Sequence, residues 1–294
     1  MSIHKSVLLQ ELIEGLQIRR GEVVLDATIN GGGMSFEVAQ RYPGVKIVGI
    51  DADKYALEQL HEEILKRKYP IETWEGNFRD LDQALQSFGI QKVDRIILDL
   101  GLSSNQLETS GRGFTFLKDE PLLMTYSSDP KLGDLTALEV VNSWDKEDLR
   151  RIFSEYGEER FAGRIAEAIV EGRPIRRTSE LVEVIRKAVP IPYAKGRIHP
   201  ATRTFQALRI AVNDELTTLS EGLKKGFAAL TSGGRMAVIS FQSLEDRIVK
   251  HFMKDKALQG LGELITKKPI VATETEIKEN PRSRSAKLRI IQKF

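Results

Sequence analysis

The segment Val23–Asp51, VVLDATINGGGMSFEVAQRYPGVKIVGID, determines the predicted fold. It begins with a short apolar run that ends in Asp26. It continues through the glycine triplet Gly31–Gly33 and a helix-like stretch to a second apolar run, which ends in Asp51. Short β-branched runs on either side of a helical stretch are typical of a βαβ unit in a parallel sheet. We therefore predict that both aspartates lie at the carboxyl edge of such a sheet, where α/β proteins bind their ligands.

The glycine turn and Asp51 together predict a nucleoside pocket. Asp51 follows the turn by about 20 residues, the spacing at which an acidic side chain binds ribose hydroxyls. The triplet continues into Met34-Ser35-Phe36, so the fingerprint Gly-x-Gly-x-x-Gly is absent, and no phosphate-binding loop is present. A nucleoside without phosphates is therefore favoured over a dinucleotide, and S-adenosylmethionine meets that description. The simpler alternative is that the glycines only form a tight turn.

The composition excludes several kinds of chemistry. The chain has 294 residues and no cysteine, which excludes disulfides, thiolate metal sites and a cysteine nucleophile. Methylation at carbon 5 of a pyrimidine normally needs a thiolate that first adds to the ring. A methyl group transferred by this protein would therefore go to an atom that is already nucleophilic, such as an exocyclic amine, a ring nitrogen or an oxygen. The four histidines are scattered in the sequence, so we expect no metal site.

Hydropathy and charge limit the kinds of partner that the chain can have. No segment approaches the roughly 20 apolar residues of a membrane span, and Glu11 and Glu14 interrupt the apolar N-terminal run that a signal peptide would need. We therefore expect a soluble, cytoplasmic protein without a membrane partner. The net charge is only +2, so a nucleic acid would be bound by a local basic patch rather than by overall charge.

Four β-rich runs alternate with helical stretches in the first hundred residues or so, which predicts a doubly wound α/β sheet. An amphipathic helix or arm at 4–20 precedes the βαβ unit. A helix at 54–68, a strand at 71–74, a helix at about 80–88 and a strand at 94–100 follow it.

The pattern changes after Gly101. Residues 102–133 contain no long periodic segment, and a loop of this length inside a compact domain is usually functional or disordered. Helices are then predicted at 145–157, 158–171 and from 179, followed by a long helix at 202–230, a turn at 233–234, a strand at 235–241, a helix at 244–253 and a strand at 286–292. We predict a core of residues 1–104 and 200–294, interrupted by an inserted helical domain of residues 105–199.

The segment from Asp99 to Gln106, DLGLSSNQ, follows the fourth strand, next to the predicted nucleoside pocket. Asp99 could face both the nucleoside and an acceptor, or it could merely cap the segment that follows. Methyl transfer needs aligned reactants, a group that accepts the proton of the acceptor and the exclusion of water. The residues alone leave both roles of Asp99 open.

Basic residues form three clusters along the chain. They are Arg173, Arg176 and Arg177; Lys195, Arg197, Arg203 and Arg209; and, in the tail from Asn280, Arg282, Arg284, Lys287, Arg289 and Lys293. Phosphate binding would explain all three, although each cluster alone could be a solvated surface. Together they favour RNA or DNA as a partner.

Several ordered motifs resemble the bacterial 16S ribosomal RNA cytosine-N4 methyltransferases, which act in the decoding region of the small subunit. They are HKSVLL at 4–9, DLGLSSNQ at 99–106, RGFTF at 112–116, YGEERFA at 156–162, HPATRTFQA at 199–207 and NPRSRS at 280–285. The resemblance implies a Rossmann-like class I methyltransferase sheet with an inserted helical domain for substrate recognition. It also implies S-adenosyl-L-methionine as cofactor and, as acceptor, the exocyclic N4 amine of a cytidine in the 16S rRNA of the small ribosomal subunit.

By position, the resemblance also implies a set of site residues. The cofactor contacts would be Gly32, Gly33, Met34, Asp51, Phe78, Asp99 and Gln106. Asp51 would bind the ribose and Phe78 would lie against the adenine. Catalytic roles fall to Asp99, Ser103 and Ser104, with the serine turn and Gln106 facing the methionine end or the target base.

The chain departs from this family at positions near the expected acceptor. The family usually has histidine where this chain has Met34 and Gln242, acids where it has Leu123 and Ser127, and arginine where it has Thr125. Asn30 replaces a glycine, and asparagine adopts left-handed backbone conformations more readily than most residues. The replacements other than Asn30 suggest an alternative hypothesis, a diverged paralogue that binds RNA or the ribosome with a different target nucleotide or little catalytic activity.

Overall fold

A computed structural model of the chain describes residues 6–294, except for the side chain of Ser104. The motif that begins at His4 and the start of the helix predicted for 4–20 therefore lie outside the described residues. The chain forms two compact units. Unit 1 runs to Gly101 and resumes at Leu216–Phe294, and unit 2 comprises Leu102–Glu215.

Unit 1 contains an eight-stranded sheet with the order β3-β2-β1-β4-β5-β8-β6, in which β7 also pairs with β8. The strands are β1 Val23–Asp26, β2 Lys46–Asp51, β3 Ile71–Glu75, β4 Val93–Asp99, β5 Leu230–Ser240, β6 Gly262–Leu264, β7 Ile270–Val271 and β8 Lys287–Lys293. Strands β1 to β5 are parallel, and β8 is antiparallel to β5. The strand order reverses between β1 and β4, and doubly wound sheets bind ligands at such a switch point. The predicted Rossmann-like α/β class is confirmed.

The helices follow the predicted alternation in the first part of the chain. They are α1 Leu9–Leu16, α2 Gly33–Arg41, α3 Lys54–Arg67, α4 Leu81–Ser87, α5 Ser104–Glu108, α6 Ala137–Ser143, α7 Lys146–Glu155, α8 Ala162–Glu171, α9 Thr178–Ala188, α10 Ile191–Ala194, α11 Thr202–Asn213, α12 Glu215–Ala229, α13 Ser243–Leu258 and α14 Glu274–Glu279. Short 3-10 turns lie at Phe78–Asp80 and Pro281–Ser285.

The sheet is buried on both faces, which explains its continuous apolar strands. Successive side chains of a strand point to opposite faces. In β4, Ile97 packs in the apolar cluster that includes α1, α2 and α3, whereas Ile96 and Leu98 pack in the cluster that includes α4, α12 and α13. A strand covered on both sides has apolar residues at every position instead of alternate ones.

Unit 2 has its own apolar core, built mainly by α7, α8, α9 and α11. Leu149, Ile152 and Phe153 of α7, which follow helical spacing, are all buried in it. Asp145 is the N-cap residue of α7, and its carboxylate accepts a hydrogen bond from the N–H of Asp148 at 2.8 Å.

The single helix predicted for 202–230 is wrong. The chain forms α11 and α12 instead, separated by Asp214, whose φ of 47° is left-handed. The Asn213 side chain donates to the carbonyl of Met124 at 2.8 Å and accepts from the N–H of Tyr126 at 2.8 Å. These contacts hold the end of α11 against a loop of unit 2. The compact unit therefore ends at Glu215, whereas the predicted insertion ended at residue 199, and it starts at Leu102 rather than 105.

A second difference lies in β5. The turn predicted at Gly233-Gly234 is a bulge within the strand, because the pairing with β4 shifts from Val93↔Leu230 to Arg95↔Arg235. Between these two pairs β4 advances by two residues and β5 by five, so β5 carries three extra residues without ending the ladder. Separately, no helix within residues 6–294 is both long and apolar enough to cross a bilayer.

Replacement of Phe153 by alanine tests the core of unit 2. The side chain is completely buried, so Phe153→Ala should lower the free energy of unfolding by about 3–5 kcal/mol through lost burial and a residual cavity. Urea unfolding followed by circular dichroism measures this. Leu132, which is fully exposed, supplies the control Leu132→Ala, which should change stability by less than about 0.5 kcal/mol. Equal stability of the two variants would contradict the described core.

Candidate active site

Three aspartates end neighbouring strands at the carboxyl edge of the sheet. Asp26 ends β1, Asp51 ends β2 and Asp99 ends β4. Strand β1 pairs with both of the others, so its carboxylate lies between theirs along this edge. The arrangement brings together the two strand-end acids of the βαβ unit and the acid of the fourth strand, as the sequence predicts.

Asp26 is buried and serves the local structure. Its Oδ2 accepts a hydrogen bond from the Ser35 hydroxyl at 2.6 Å, and its Oδ1 accepts from the N–H of Thr28 at 3.4 Å. Burial raises the pKa of Asp26 to about 6, and these two hydrogen bonds limit the rise. Asp26 therefore ties the start of α2 to the end of β1.

Asp51 fixes the glycine loop. Its Oδ2 accepts from the N–H of Asn30 at 2.9 Å and its Oδ1 accepts from the N–H of Asp53 at 2.9 Å. Burial raises the pKa of Asp51 to about 6, and the charges of Asp53 and Asp26 add to the rise. Two carboxylate oxygens offer about four acceptor positions, so two hydrogen bonds leave capacity for ligand hydroxyls.

The glycine loop has the left-handed geometry that its sequence requires. Asn30 has φ 48°, which confirms the expected tolerance of asparagine at this position. Gly32 has φ 75°, and a Cβ there would lie 2.5 Å from Cδ1 of Leu60. Gly33 begins α2 and Met34 follows it, but the Met34 side chain is buried in the apolar core. Any ligand contact of Met34 would thus involve its backbone.

Phe78 lies beside the same edge. Its ring packs against α12 at Gly222, where a Cβ would be 2.5 Å from Cδ2 of the ring. The turn that precedes it is held by the N–H of Gly76, which donates to the carbonyl of Asp51 at 2.8 Å. Phe78 and Asp51 are therefore positioned by one continuous set of contacts within unit 1.

Asp99 differs from the other two acids. Within the described residues, its enclosed Oδ1 has no hydrogen-bond partner. Burial, together with the charges of Asp26 and Glu245, raises the pKa of Asp99 to about 8. Its backbone N–H donates to Oγ1 of Thr28 at 2.7 Å. An enclosed carboxylate oxygen without a partner is costly unless a ligand uses it.

Glu245 is a fourth acid that the sequence interpretation missed. It is buried, and its Oε2 accepts from the N–H groups of Phe241 at 2.9 Å and Gln242 at 3.3 Å. Gln242, the replacement for a family histidine, donates from Nε2 to Oε1 of Glu245 at 3.2 Å. The acid three residues after Gln242 fits the spacing of a helix capping box, which is the signal that could have identified it.

Ser103 and Gln106 belong to unit 2 and form a capping box. The Ser103 hydroxyl accepts from the N–H of Gln106 at 3.1 Å, and Oε1 of Gln106 accepts from the N–H of Ser103 at 2.9 Å. The alternative that Asp99 caps this segment is wrong, because Ser103 is the N-cap residue. Ser104 begins α5, and its side chain lies outside the described part of the chain.

The segment that replaces the charged residues of the family is held mainly through its backbone. Arg112 donates from Nη1 to the carbonyls of Thr125 at 3.0 Å and Tyr126 at 2.6 Å. Thr125 also donates to the carbonyl of Ser127 at 3.0 Å. Because main-chain carbonyls receive the contacts of Arg112, the identity of the side chains at Leu123, Thr125 and Ser127 matters little for these contacts.

Several arginines that were predicted to bind phosphate instead contact other residues of the protein. Arg173 donates to the carbonyl of Val141, Arg177 pairs with Asp119, Arg209 with Glu215, and Arg289 with Asp246. The partners of these arginines lie far from them in sequence, except Glu215, so basic composition alone could not reveal them. The interpretation of all three basic clusters as phosphate sites is therefore too broad.

This edge has the character of a site for a nucleoside with a positively charged group. It combines a ribose-type carboxylate, a left-handed glycine loop and buried acids whose mutual repulsion a cation would relieve. With the sheet order, these features define a Rossmann-like protein of the class I methyltransferase type. The family model of the MraW methylase family matches residues 1–294, and the chain belongs to this family.

Curated relatives match almost the full length. A "Ribosomal RNA small subunit methyltransferase H" from Persephonella marina is 44% identical and covers 99% of this chain and 99% of its own. Proteins of the same name from Synechocystis sp. and Sulfurihydrogenibium sp. are 48% and 45% identical, covering 99% and 98% of this chain and 93% and 98% of their own. Among solved structures, an rRNA methylase from Streptococcus thermophilus covers 100% of this chain and 99% of its own, with 11% identity and a TM-score of 0.46.

The raised pKa values predict how stability depends on pH. Asp26 and Asp51 have a pKa of about 6 and Asp99 of about 8, against an ordinary 3.8. The folded state therefore binds these protons more tightly than the unfolded state, and the stabilisation is lost as pH rises through about 6 and then about 8. We expect the melting temperature of the ligand-free protein to fall over this range, and Asp99→Asn to reduce the upper part of the fall.

Thermal unfolding by circular dichroism at constant ionic strength measures the two profiles, and their difference isolates Asp99 from other titrating groups. Asp129→Asn, at an exposed position, is the control and should follow the wild-type profile. A difference between wild type and Asp99→Asn that does not change with pH would contradict the raised pKa.

Proposed function

We propose that the protein transfers a methyl group from S-adenosyl-L-methionine to the exocyclic N4 amine of a cytidine in 16S rRNA of the small ribosomal subunit. The observation that supports it most is the buried acidic edge, in which the enclosed Oδ1 of Asp99 lacks a partner within the described residues. The names of the full-length relatives support ribosomal RNA as the substrate class. The proposal includes a cytoplasmic location, where this substrate is found.

The residues of this edge fit the proposed cofactor. Asp51 retains acceptor capacity for the two ribose hydroxyls, and Phe78 offers an apolar ring for the adenine. First-turn N–H groups of a helix have no partner within the helix, so those of Gly33 and Met34 suit the methionine carboxylate. When bound, the cofactor supplies an electrophilic methyl group on a sulfonium, whose positive charge the neighbouring acids favour. Gly32 allows the close approach of the loop.

Asp99 is the proposed catalytic residue of unit 1. Its unpartnered oxygen can accept a hydrogen bond from the amine of the acceptor, which orients the nitrogen lone pair toward the methyl group. Its pKa of about 8 also makes it a base matched to neutral pH. A carboxylate that is held in place and enclosed needs little reorganisation during the reaction.

The proposal also includes Ser103, Ser104 and Gln106 as contacts of the methionine end or of the target base. Ser103 accepts a hydrogen bond with its hydroxyl, so the hydroxyl hydrogen can still be donated. The carboxamide oxygen of Gln106 is used in the capping box, and its NH₂ group is the part suited to a ligand. Both residues are held rigidly by their reciprocal contacts.

The relatives support the methyltransferase rather than the alternative of a diverged paralogue with little activity. Two of the departures from the family pattern are accommodated in the structure. Asn30 adopts the left-handed conformation of a glycine, and Gln242 is bound to Glu245. Neither replacement disturbs the acids at the edge of the sheet.

Methyl incorporation tests the proposed reaction. Purified protein is incubated with S-adenosylmethionine labelled in the methyl group and small subunits from a strain that lacks the modification. Nuclease digestion and mass spectrometry of the 16S rRNA should show N4-methylated cytidine. Asp99→Asn should reduce the rate by about 10²-fold or more, since general-base groups contribute on this scale. Cofactor binding without incorporation into any RNA would instead favour an RNA-binding factor.

Calorimetry with the cofactor tests the role of Asp51. Loss of the charged ribose acceptor in Asp51→Ala or Asp51→Asn should weaken binding by about 10- to 100-fold, because hydrogen bonds to charged groups contribute about 1.5–3 kcal/mol. Asp82→Asn, which removes an exposed acid of the same unit, is the matched control and should bind as the wild type does. Unchanged affinity of both Asp51 variants would refute the ribose contact.

A further inference from the structure

Two motifs, YGEERFA at 156–162 and HPATRTFQA at 199–207, have no role in the proposed cofactor site. In unit 2 they lie together and border a cavity of about 390 Å³, which we call the Arg160 pocket. Its lining residues are Arg160, Pro192, Tyr193, Gly196, Arg197, Ile198 and Arg203. Three of these seven residues are arginines.

Backbone contacts explain why both motifs are needed. A Cβ at Gly157 would lie 2.6 Å from the carbonyl oxygen of Arg203, so only glycine allows the start of α11 to approach the end of α7. Gln206 donates from Nε2 to the carbonyl of Tyr156 at 2.9 Å, and Arg203 donates to the carbonyl of Glu158 at 3.2 Å. The two motifs thus form one structure, which contributes Arg160 and Arg203 to the pocket, and residues between 192 and 198 line the rest of it.

Arg160 is exposed, and its guanidinium group lies over two aromatic rings. Its guanidinium carbon lies 4.7 Å from the ring centre of Phe161 and 4.8 Å from that of Tyr193. The Tyr193 hydroxyl donates to Oε2 of Glu159 at 2.5 Å, and Glu159 is buried. Cation–π contacts fix the plane of a guanidinium without consuming its N–H donors. A ligand would therefore meet donors that are already oriented, which lowers the entropic cost of binding.

The arginines of the pocket differ from other arginines of the chain, whose positive charge is neutralised by an ion pair with a carboxylate. Among residues 6–294, no carboxylate forms an ion pair with Arg160, Arg197 or Arg203. This contrasts with Arg177 and Arg209 of the same unit, which have acidic partners. The buried carboxylate of Glu159 is used by the Tyr193 hydroxyl and by the N–H of Phe161. The pocket therefore presents donors and positive charge.

We propose that the Arg160 pocket binds one nucleotide of the RNA substrate, with its phosphate on the three guanidinium groups and its base against the Arg160–Tyr193 surface. Guanidinium groups match phosphate oxygens in geometry, and single-stranded bases stack on aromatic rings and on guanidinium planes. The proposal deepens the proposed function and rests on it. It assigns RNA recognition to residues outside the predicted catalytic and cofactor contacts.

The test compares Arg160→Gln and Arg197→Gln with Arg151→Gln. Arg151 is an exposed arginine of α7 in the same unit that pairs with Asp148, so the control removes the same charge away from the pocket. A fluorescein-labelled single-stranded RNA oligonucleotide is titrated by anisotropy at several salt concentrations. Each pocket variant should weaken binding about tenfold and reduce the salt slope by roughly 0.7–1 for the lost phosphate contact. The control should stay within about twofold of wild type.

Three outcomes would overturn the proposal. Pocket variants that bind the oligonucleotide like wild type exclude the pocket, and an equal loss in Arg151→Gln shows a non-specific charge effect. Displacement of the labelled RNA by inorganic phosphate as effectively as by unlabelled RNA identifies a small-anion site. A thermal melt shows whether each variant is folded. Because Arg197 is exposed, we expect Arg197→Gln to fold, and it decides the question even if Arg160→Gln does not.

Steady-state kinetics with small subunits separates this inference from the proposed function. The pocket variants should raise the KM for subunits about tenfold and leave the KM for S-adenosylmethionine unchanged. Absence of methyl transfer by the wild type would contradict the proposed function, while the RNA titration would still decide the pocket. Normal methyl transfer with unchanged KM for subunits in both variants would contradict the pocket alone.

Discussion

The burial of several carboxylates at one edge of the sheet is the constraint on which the site depends. Strand pairing brings Asp26 between Asp51 and Asp99, and Glu245 adds a further negative charge near Asp99. Desolvation and mutual repulsion oppose ionisation, and backbone N–H groups offset only part of this cost. An edge of this kind is stabilised by a ligand that brings both hydroxyl donors and a positive charge, as S-adenosylmethionine does.

Three of the four acids hold the backbone around the pocket, and the fourth differs from them. Asp26 holds the start of α2, Asp51 holds the glycine loop, and Glu245 caps α13. Each of these carboxylates has hydrogen bonds that position the backbone around the pocket. Asp99 alone among them has an oxygen without a partner within the described residues. Burial, and after it the charges of Asp26 and Glu245, raises the pKa of Asp99, the acid to which we assign the contact with the acceptor.

Local signals predicted most of the fold and part of the site. Periodicity identified the βαβ unit and the helices of unit 2, and strand ends identified the aspartates, because these features depend on neighbouring residues. The break at Asp214 was missed because Asn213 contacts Met124 and Tyr126, almost ninety residues earlier. The pairing of the basic side chains was missed for the same reason. The capping boxes at Ser103 and Gln242 had local signals, and their spacing could have revealed them.

A crystal structure of the protein with bound S-adenosylmethionine tests the central claim most directly. Both ribose hydroxyls should lie within hydrogen-bond distance of the Asp51 carboxylate, and the sulfonium should lie beside Asp99 rather than in solvent. A cofactor bound away from the ends of β1, β2 and β4, or an edge closed by side chains that exclude it, would contradict the account whatever the family relationship.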